Sequence, residues 1–238
     1  MSGWYADLYA DFQQSFIDGD RWRALLKSLG VTLELTALAL VLGIVLGIFI
    51  AVIRSSHDQM AMQHRHNTIL SILNAFCKLY LTIIRGTPVM VQLLIMYFVI
   101  LANSINTVLT ATLTFGINSG AYVAEIIRSG IMSIDKGQME AGRSLGLNYV
   151  QTMWDIIIPQ AIKNILPALG NEFITLLKET SIVNVIGMRD ITKWAINVQG
   201  RTYQAFMPFI GIALIYLVMV VILSRLVSLL ERRLNTDG

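Results

Sequence analysis

Long apolar runs separated by short polar stretches dominate the chain. Residues 35–53 contain no charged side chain, and a helix that spans a membrane needs roughly 20 apolar residues. Residues 86–124 are also uncharged and long enough for two spans, with a turn predicted at the polar residues 103–107. Residues 205–224 form a further uncharged run. This pattern indicates several membrane-spanning helices.

We expect an all-α polytopic membrane protein with five transmembrane helices, within residues 24–53, 68–102, 108–131, 161–186 and 205–224. The second helix is predicted to be broken at Gly86 and Pro88, because glycine loosens a helix and proline lacks a backbone donor. Such breaks are tolerated in a membrane only where protein buries them or they line a cavity. Gly43 and Gly47 give the first helix a small-residue face for a neighbouring helix of the same chain.

The polar segments between these runs predict three further features. Aromatic residues recur every three to four positions in residues 1–20, as expected for an amphipathic helix at a membrane interface. The same segment has four aspartates and no lysine or arginine, unlike a cleavable signal. Residues 54–67 predict a solvated loop rather than a metal site, although the loop contains His57, His64 and His66. Residues 188–203 predict a short helix.

Composition supports a membrane protein and limits the possible functions. Only 14% of residues are charged and 55% are hydrophobic, whereas soluble domains carry about 25% charged residues. The basic residues are spread over the polar segments, so the pI of about 9.1 does not indicate nucleic-acid binding. The single Cys77 excludes a disulfide within the chain. No phosphate-binding glycine loop and no catalytic Ser/His/Asp or Cys/His group supports an enzyme.

The most informative segment is the polar interlude at residues 134–159. Glu140 and Arg143 lie three apart, so they share a helix face and can pair. The neighbouring Gly142 leaves that helix nearly bare for close contact with another backbone. Gly146 can end the helix, Asn148 can cap the next one, and Pro159 is expected to break that one. We predict two short helices that project from the membrane on one side.

This segment resembles the Glu-Ala-Ala-type loop of permease subunits of ATP-binding-cassette importers. The glycine lies six residues after Glu140, and a hydrophobic-Pro pair ends at Pro159. Gly142 replaces the usual second alanine and Ile158 a common leucine. The Arg85-Gly86-Thr87-Pro88 quartet is similar to the polar amino acid branch.

The resemblance implies a type I importer permease fold. Residues 1–24 would be an interfacial segment and residues 25–238 the transmembrane domain, with a cytoplasmic coupling helix in the loop at about 134–159. The coupling residues implied for the ATPase groove are Gly137, Glu140, Ala141, Gly142, Arg143 and Gly146.

The implied partners are ATPase subunits that use ATP and Mg²⁺, a second permease subunit, like or unlike, and an extracytoplasmic substrate-binding protein. No cofactor is expected in this chain. The expected location is a bacterial inner membrane. A modest excess of basic residues on the side of the coupling loop agrees with a cytoplasmic C-terminus and an external N-terminus.

An amino acid substrate requires groups for both an ammonium and a carboxylate. Polar side chains within apolar spans are costly and indicate function by default. The candidate substrate-binding residues are Arg85, Thr87, Asn118, Ser119, Glu125 and Glu179. For Glu125 an ion pair with Arg128 on the same helix is the structural alternative.

Other functions remain open at this point. A permease for another substrate, such as methionine, phosphonate or sugar, is the nearest alternative. A secondary transporter would usually show internal repeats, and none is found. A channel or structural membrane subunit would not need the coupling loop.

Overall fold

Helices of very different lengths follow one another along the computed structural model, which describes the backbone of residues 2–62, 66–102 and 106–236. The described part contains no strand, so the all-α prediction is confirmed there. The α-helices are α1 Ser2–Phe12, α2 Arg21–Met62, α3 Thr68–Gly86, α4 Val89–Ile95, α5 Thr107–Met132, α6 Lys136–Ser144, α7 Tyr149–Thr152, α8 Ile158–Glu179, α9 Ile191–Thr202 and α10 Phe206–Thr236. Wider π turns (Gln13–Ile17, Met96–Ile100, Met153–Ile157) and tighter 3₁₀ turns (Asp18–Asp20, Thr180–Ile186) extend several of them.

Three helical stretches in the described residues are long and apolar enough to cross a membrane: Tyr5–Met60, Thr68–Gly86 and Phe206–Leu234. Val89–Ile100 is apolar but shorter. Helices α5 and α8 have the length of a span, but they carry polar side chains at intervals. The count of five transmembrane helices therefore stays a prediction.

Helix α2 packs against α5 at the centre of the fold, and glycines bring the two backbones together. A methyl group on Gly43 would lie 3.0 Å from the Ser119 side chain, and one on Gly47 would lie 2.7 Å from Val123 Cβ. On the α5 side, Gly116 leaves room for Leu42 in the same way. The predicted small-residue face thus contacts a helix of the same chain.

Two elements differ from their predictions. Residues 54–62, expected in a polar loop, continue α2, because Arg54 and Asp58 find ion-pair partners on α5. His64, in the same predicted loop, and residues 103–105 of the predicted turn lie outside the described residues. Pro159 does not break a helix: it lies in the first turn of α8, where a missing N–H is tolerated, and a π turn precedes it.

The N-terminal segment is fastened to the last two helices. Phe16 stacks on Trp194 of α9 with ring centroids 5.3 Å apart, and it also fills the space beside Gly211 of α10. Gln204 Nε2 donates a 2.6 Å hydrogen bond to Asp11. The predicted short helix at residues 188–203 is observed as α9. A buried apolar cluster that includes Leu25, Trp194 and Ile212 holds this end together.

We predict that Gly47→Ala destabilises the protein relative to Gly30→Ala by about 1–3 kcal/mol, the usual cost of overpacking. Both substitutions lie in α2 and gain about 1 kcal/mol of helix propensity, but a methyl group at Gly30 meets nothing within 4 Å. Thermal unfolding of both variants in detergent, followed by circular dichroism, measures the difference. Equal stabilities of the Gly47→Ala and Gly30→Ala variants would contradict the prediction, because they would mean that α2 and α5 can move apart with little loss of free energy.

Candidate functional site

The break between α3 and α4 is closed by one side chain, that of Gln92. Its Nε2 donates hydrogen bonds to the Ile84 carbonyl and the Thr87 hydroxyl, both at 2.8 Å. The Thr87 hydroxyl donates in turn to the carbonyl of Ile83 at 2.9 Å. Because Pro88 supplies no N–H and the helix stops at Gly86, carbonyls here lack helical partners. Gln92 and Thr87 satisfy them and hold the break in one shape.

The middle of α5 extends this hydrogen bonding to two other helices. Asn118 Nδ2 donates to Gln92 Oε1 at 3.0 Å, and the adjacent Ser119 Oγ donates to Glu172 Oε1 of α8 at 2.7 Å. Asn118 is 4% exposed and Ser119 is fully buried. We call Thr87, Gln92, Asn118, Ser119 and Glu172 the polar row. The row joins α4, α5 and α8 at one level of the fold.

The predicted substrate residues are distributed unevenly around this row. Thr87, Asn118 and Ser119 belong to it, and the Arg85 guanidinium lies 5.4 Å from the ring centre of Tyr122, one turn after Asn118 on α5. Glu179 lies two turns after Glu172 on α8, so the two carboxylates share a helix face.

Glu125 is held elsewhere, two turns along α5. Gln92 and Glu172 were missed as site residues. Their signal was a polar side chain in an apolar helix, the same signal that identified Asn118.

Charged side chains tie the end of α2 to α5. Glu125 pairs with Arg54, and Asp58 pairs with Arg128 at 3.3 Å. The alternative of an ion pair between Glu125 and Arg128 is wrong in the described structure: each charge has a partner on α2, because residues 54 and 58 lie one turn apart and face the same side of α5. The Arg54 side chain is only 13% exposed, so its charge depends on this partner.

The segment after α5 forms a capped helical hairpin, here defined as residues 134–159. Asp135 accepts a 2.7 Å hydrogen bond from the Gly137 N–H at the start of α6. Helix α6 ends at Ser144 and is terminated by Gly146, which has φ +82°. The amides of Gly146 and Leu147 donate back to the carbonyls of Arg143 and Gly142. This is a Schellman ending, which favours glycine at the left-handed position. The predicted end of this helix is confirmed.

The second arm of the hairpin begins with a reciprocal cap. Asn148 accepts from the Gln151 amide at 3.0 Å, and the Gln151 side chain accepts from the Asn148 amide at 2.9 Å. The two arms meet where Gly142 faces Thr152: a methyl group on Gly142 would lie 2.6 Å from Thr152 Cγ2. At the base of the hairpin, Asn164 of α8 donates to Ser133 at the end of α5 at 2.8 Å. Capping and close contact make this a stiff projection.

The outer face of the hairpin is open and partly apolar. Leu145, Val150 and Trp154 are 79%, 59% and 65% exposed, although they lie in a polar segment and outside the long apolar runs that are expected to face lipid. Of the predicted coupling residues, Gly142 is buried and the others are exposed: Gly137, Glu140, Ala141, Arg143 and Gly146. No ion pair joins Glu140 to Arg143 in the described structure.

A cavity of about 600 Å³ lies between the hairpin and the ends of α2 and α5. Its walls include the ion-paired Asp58 and Arg128, together with Glu140 and Arg143 of α6. Burial raises the pKa of the Tyr149 hydroxyl in this wall, while a hydrogen bond with the Gln59 side chain acts in the opposite direction. The hairpin therefore contacts the same end of α2 that the ion pairs hold to α5.

Residues 43–236 match the family described as binding-protein-dependent transport system inner membrane component. The arginine transport system permease protein ArtQ of Bacillus subtilis is 38% identical over 216 residues, which cover 90% of this chain and 93% of that protein. The glutamine transport system permease protein GlnP of Escherichia coli is 33% identical over 215 residues, which cover 89% of this chain and 93% of that protein.

Solved structures agree with this match. The crystal structure of an amino acid ABC transporter with histidines is similar with a TM-score of 0.80 at 45% identity, over 89% of this chain and 94% of that one. An inward-facing structure of the MetNI methionine ABC transporter has a TM-score of 0.74 at 16% identity, over 92% of this chain and 99% of that one. The second likeness is one of fold alone. The family resemblance seen in the sequence is confirmed.

We predict a coupling energy of about 0.5–3 kcal/mol between Arg54 and Glu125, the range for residues in contact. Glu125→Gln should destabilise the protein by leaving the mostly buried Arg54 guanidinium unpaired. The double variant Arg54→Gln/Glu125→Gln should be destabilised by less than the sum of the two single variants. Chemical unfolding of the four proteins in detergent measures the cycle.

The exposed pair of Asp20 and Arg23, with side chains 66% and 68% exposed, is the matched control. Its cycle with Asp20→Asn and Arg23→Gln should give about 0–1 kcal/mol. Equal coupling in the two cycles would contradict a special role for the pair of Arg54 and Glu125.

Proposed function

We propose a specific transport role from one premise: the chain belongs to the family of binding-protein-dependent transport system inner membrane components. It acts as the permease subunit of an ATP-driven importer of polar amino acids. The relatives named for arginine and glutamine transport, and the structure with histidines, support this substrate class. A substrate-binding protein delivers the amino acid on the outer face.

The hairpin is the proposed docking element for an ATPase subunit, which binds ATP and Mg²⁺. Its exposed Leu145, Val150 and Trp154 offer apolar contacts to a groove, and Glu140 and Arg143 add charges beside them. The orientation follows from this assignment: the hairpin and the C-terminus are cytoplasmic, and the N-terminus is external. Five transmembrane helices and a second permease subunit complete the proposed assembly.

One observation supports the coupling mechanism most directly. Helices α5 and α8, which flank the hairpin, are also joined to each other in the polar row by Ser119 and Glu172. A rigid movement of the hairpin therefore reaches the row through two packed helices, without a flexible segment to absorb it. Closure of the ATPase dimer would move the hairpin. This movement would change the side of the membrane from which the substrate can enter the polar row.

The polar row is the proposed substrate path, with Arg85 and Glu179 at its margins. The Glu172 carboxylate suits an ammonium group, while Asn118, Thr87 and the Arg85 guanidinium offer donors to a carboxylate. A role for Glu125 in substrate binding remains part of the proposal, although its carboxylate is paired with Arg54. Its release from that pair would be required first.

We predict that Gly142→Ala uncouples ATP hydrolysis from uptake, because the added methyl group forces α6 away from Thr152. Thr152→Ala removes the two nearest of the three Thr152 atoms that the methyl group would meet, so the double variant should recover coupling. The measurement is amino acid uptake per ATP hydrolysed in proteoliposomes that contain the complete transporter.

Thr152→Ala alone is the control and should transport nearly as the unchanged protein does. Normal coupling in Gly142→Ala would show that the hairpin tolerates a displaced arm. If the double variant is also uncoupled, the loss of coupling comes from the changed surface of α6 and not from the contact with Thr152.

We predict that Ser119→Ala and Glu172→Gln each lower the rate of uptake by about tenfold or more. A hydrogen bond to a charged group contributes about 1.5–3 kcal/mol, and about 1.4 kcal/mol corresponds to a factor of ten. Ser129→Ala is the matched control: it lies on the same helix as Ser119, and its exposed hydroxyl donates to the Ile126 carbonyl. Uptake of labelled arginine, glutamine and histidine in proteoliposomes compares the three variants. Unchanged rates and substrate preference in Glu172→Gln would remove the row from the transport path.

A further inference from the structure

A cationic cavity lies at the opposite end of α2 from the hairpin. It has a volume of about 430 Å³ and lies between the first three turns of α2 and one face of α9. Four basic side chains line it: Arg21, Lys27, Arg189 and Arg201. No carboxylate is among its lining residues. The transport role described above gives these residues no task.

The positive charges of the cavity are not neutralised within the described residues. None of the four basic side chains has an ion pair there. Arg21 donates to the backbone carbonyl of Gln14, which carries no full charge. The nearby Asp190 is 1% exposed, and its carboxylate accepts from the amides of Thr192 and Lys193 at the start of α9. Four like charges around one cavity repel each other, so a bound anion would be stabilised.

The cavity has a firm floor. Trp194 lines it and is 4% exposed, and its Nε1 donates to the Arg21 carbonyl at 3.0 Å. Val198 also lines the cavity and belongs to the buried cluster that joins α2, α9 and α10. The hydrogen bond from Trp194 holds the first turn of α2 beside α9. The basic side chains therefore extend from backbones whose positions are set by packing.

The position of the cavity along α2, relative to the apolar run, indicates the source of the anion. Trp22 and Leu26, in the same turns of α2, and Leu33, just beyond them, are exposed and apolar, and they lead into the uncharged run at residues 35–53. Val31, at one end of the cavity, lies about 6 Å from the start of that run at 1.5 Å per residue. A headgroup layer extends roughly 5–8 Å beyond the hydrocarbon on each side. The inner end of the cavity therefore reaches the headgroups.

We propose that this cavity binds the phosphate of an anionic phospholipid; the assignment to the outer leaflet rests on the orientation given under the proposed function. Lys27 and Arg189 or Arg201 would hold the phosphate oxygens, because arginine offers paired donors and lysine a mobile charge. The acyl chains would lie along the apolar stripe of Trp22, Leu26 and Leu33. The cavity is many times larger than the roughly 30 Å³ share of one water and has room for a glycerophosphate group.

Native mass spectrometry of the purified full chain tests this directly. The protein is incubated with phosphatidylglycerol or with phosphatidylcholine of the same acyl chains, and bound lipids are counted. Arg189→Gln/Arg201→Gln should lower phosphatidylglycerol binding roughly tenfold or more, since each basic residue contributes measurably to binding of anionic lipid. Phosphatidylcholine binding should be weak in both proteins.

Two further variants make the test specific. Arg23→Gln/Lys193→Gln removes the same charge from the same end of the molecule but outside the cavity lining, and it should bind phosphatidylglycerol normally. Arg189→Lys/Arg201→Lys retains the charge and should bind most of the phosphatidylglycerol that the unchanged protein binds. This result would show that the glutamine variant loses binding through its lost charge. The readout needs neither ATPase nor substrate, so its failure leaves the transport proposal standing.

Three results would overturn the proposal. Equal phosphatidylglycerol binding by the glutamine variant and the unchanged protein would exclude the cavity. Displacement of the lipid by millimolar inorganic phosphate would assign the cavity to a free anion instead. Loss of capture of the transporter's substrate-binding protein by the glutamine variant, measured in a separate pull-down with lipid binding unchanged, would assign the cavity to an acidic protein surface.

Discussion

The fold depends on the close approach of α2 and α5, which glycines on both helices permit. Gly43 and Gly47 face Ser119 and Val123, and Gly116 faces Leu42. In a membrane, lipid is as apolar as a leucine side chain, so helix association relies on tight packing and hydrogen bonds rather than on the hydrophobic effect. This contact gives α5 one rigid neighbour and leaves its other faces free for α4 and α8.

This packing allows polar side chains on α5 to stabilise the fold. Asn118 and Ser119 would be expensive in lipid, but they are buried between helices and bonded to Gln92 and Glu172. The same side chains that lower the hydropathy of α5 and α8 therefore join those helices to their neighbours. Glu125 and Arg128 follow the same logic at the end of the helix, where they pair with Arg54 and Asp58.

The hairpin and the polar row are connected because α5 and α8 flank the hairpin and also carry members of the row. Caps at Asp135, Asn148 and Gly146 stiffen the hairpin, and Asn164 fastens its base to Ser133. These contacts are what the proposed coupling requires, because a loose loop would absorb the movement. The cationic cavity lies at the far end of α2, so one long helix connects the proposed lipid contact to the ion pairs beside the hairpin.

Local features of the fold followed from the sequence alone: the apolar runs, the break at Gly86 and Pro88, the ends of α6 and the cap at Asn148. Each depends on residues within one or two helical turns, which the sequence displays directly. The tertiary structure decided the rest. Residues 54–62 are helical, Glu125 pairs with Arg54, and Gln92 and Glu172 join the site, because their partners lie 26 to 71 residues away in the chain. Hydrophobic periodicity shows which side chains are polar, but only packing of distant helices determines which of them meet.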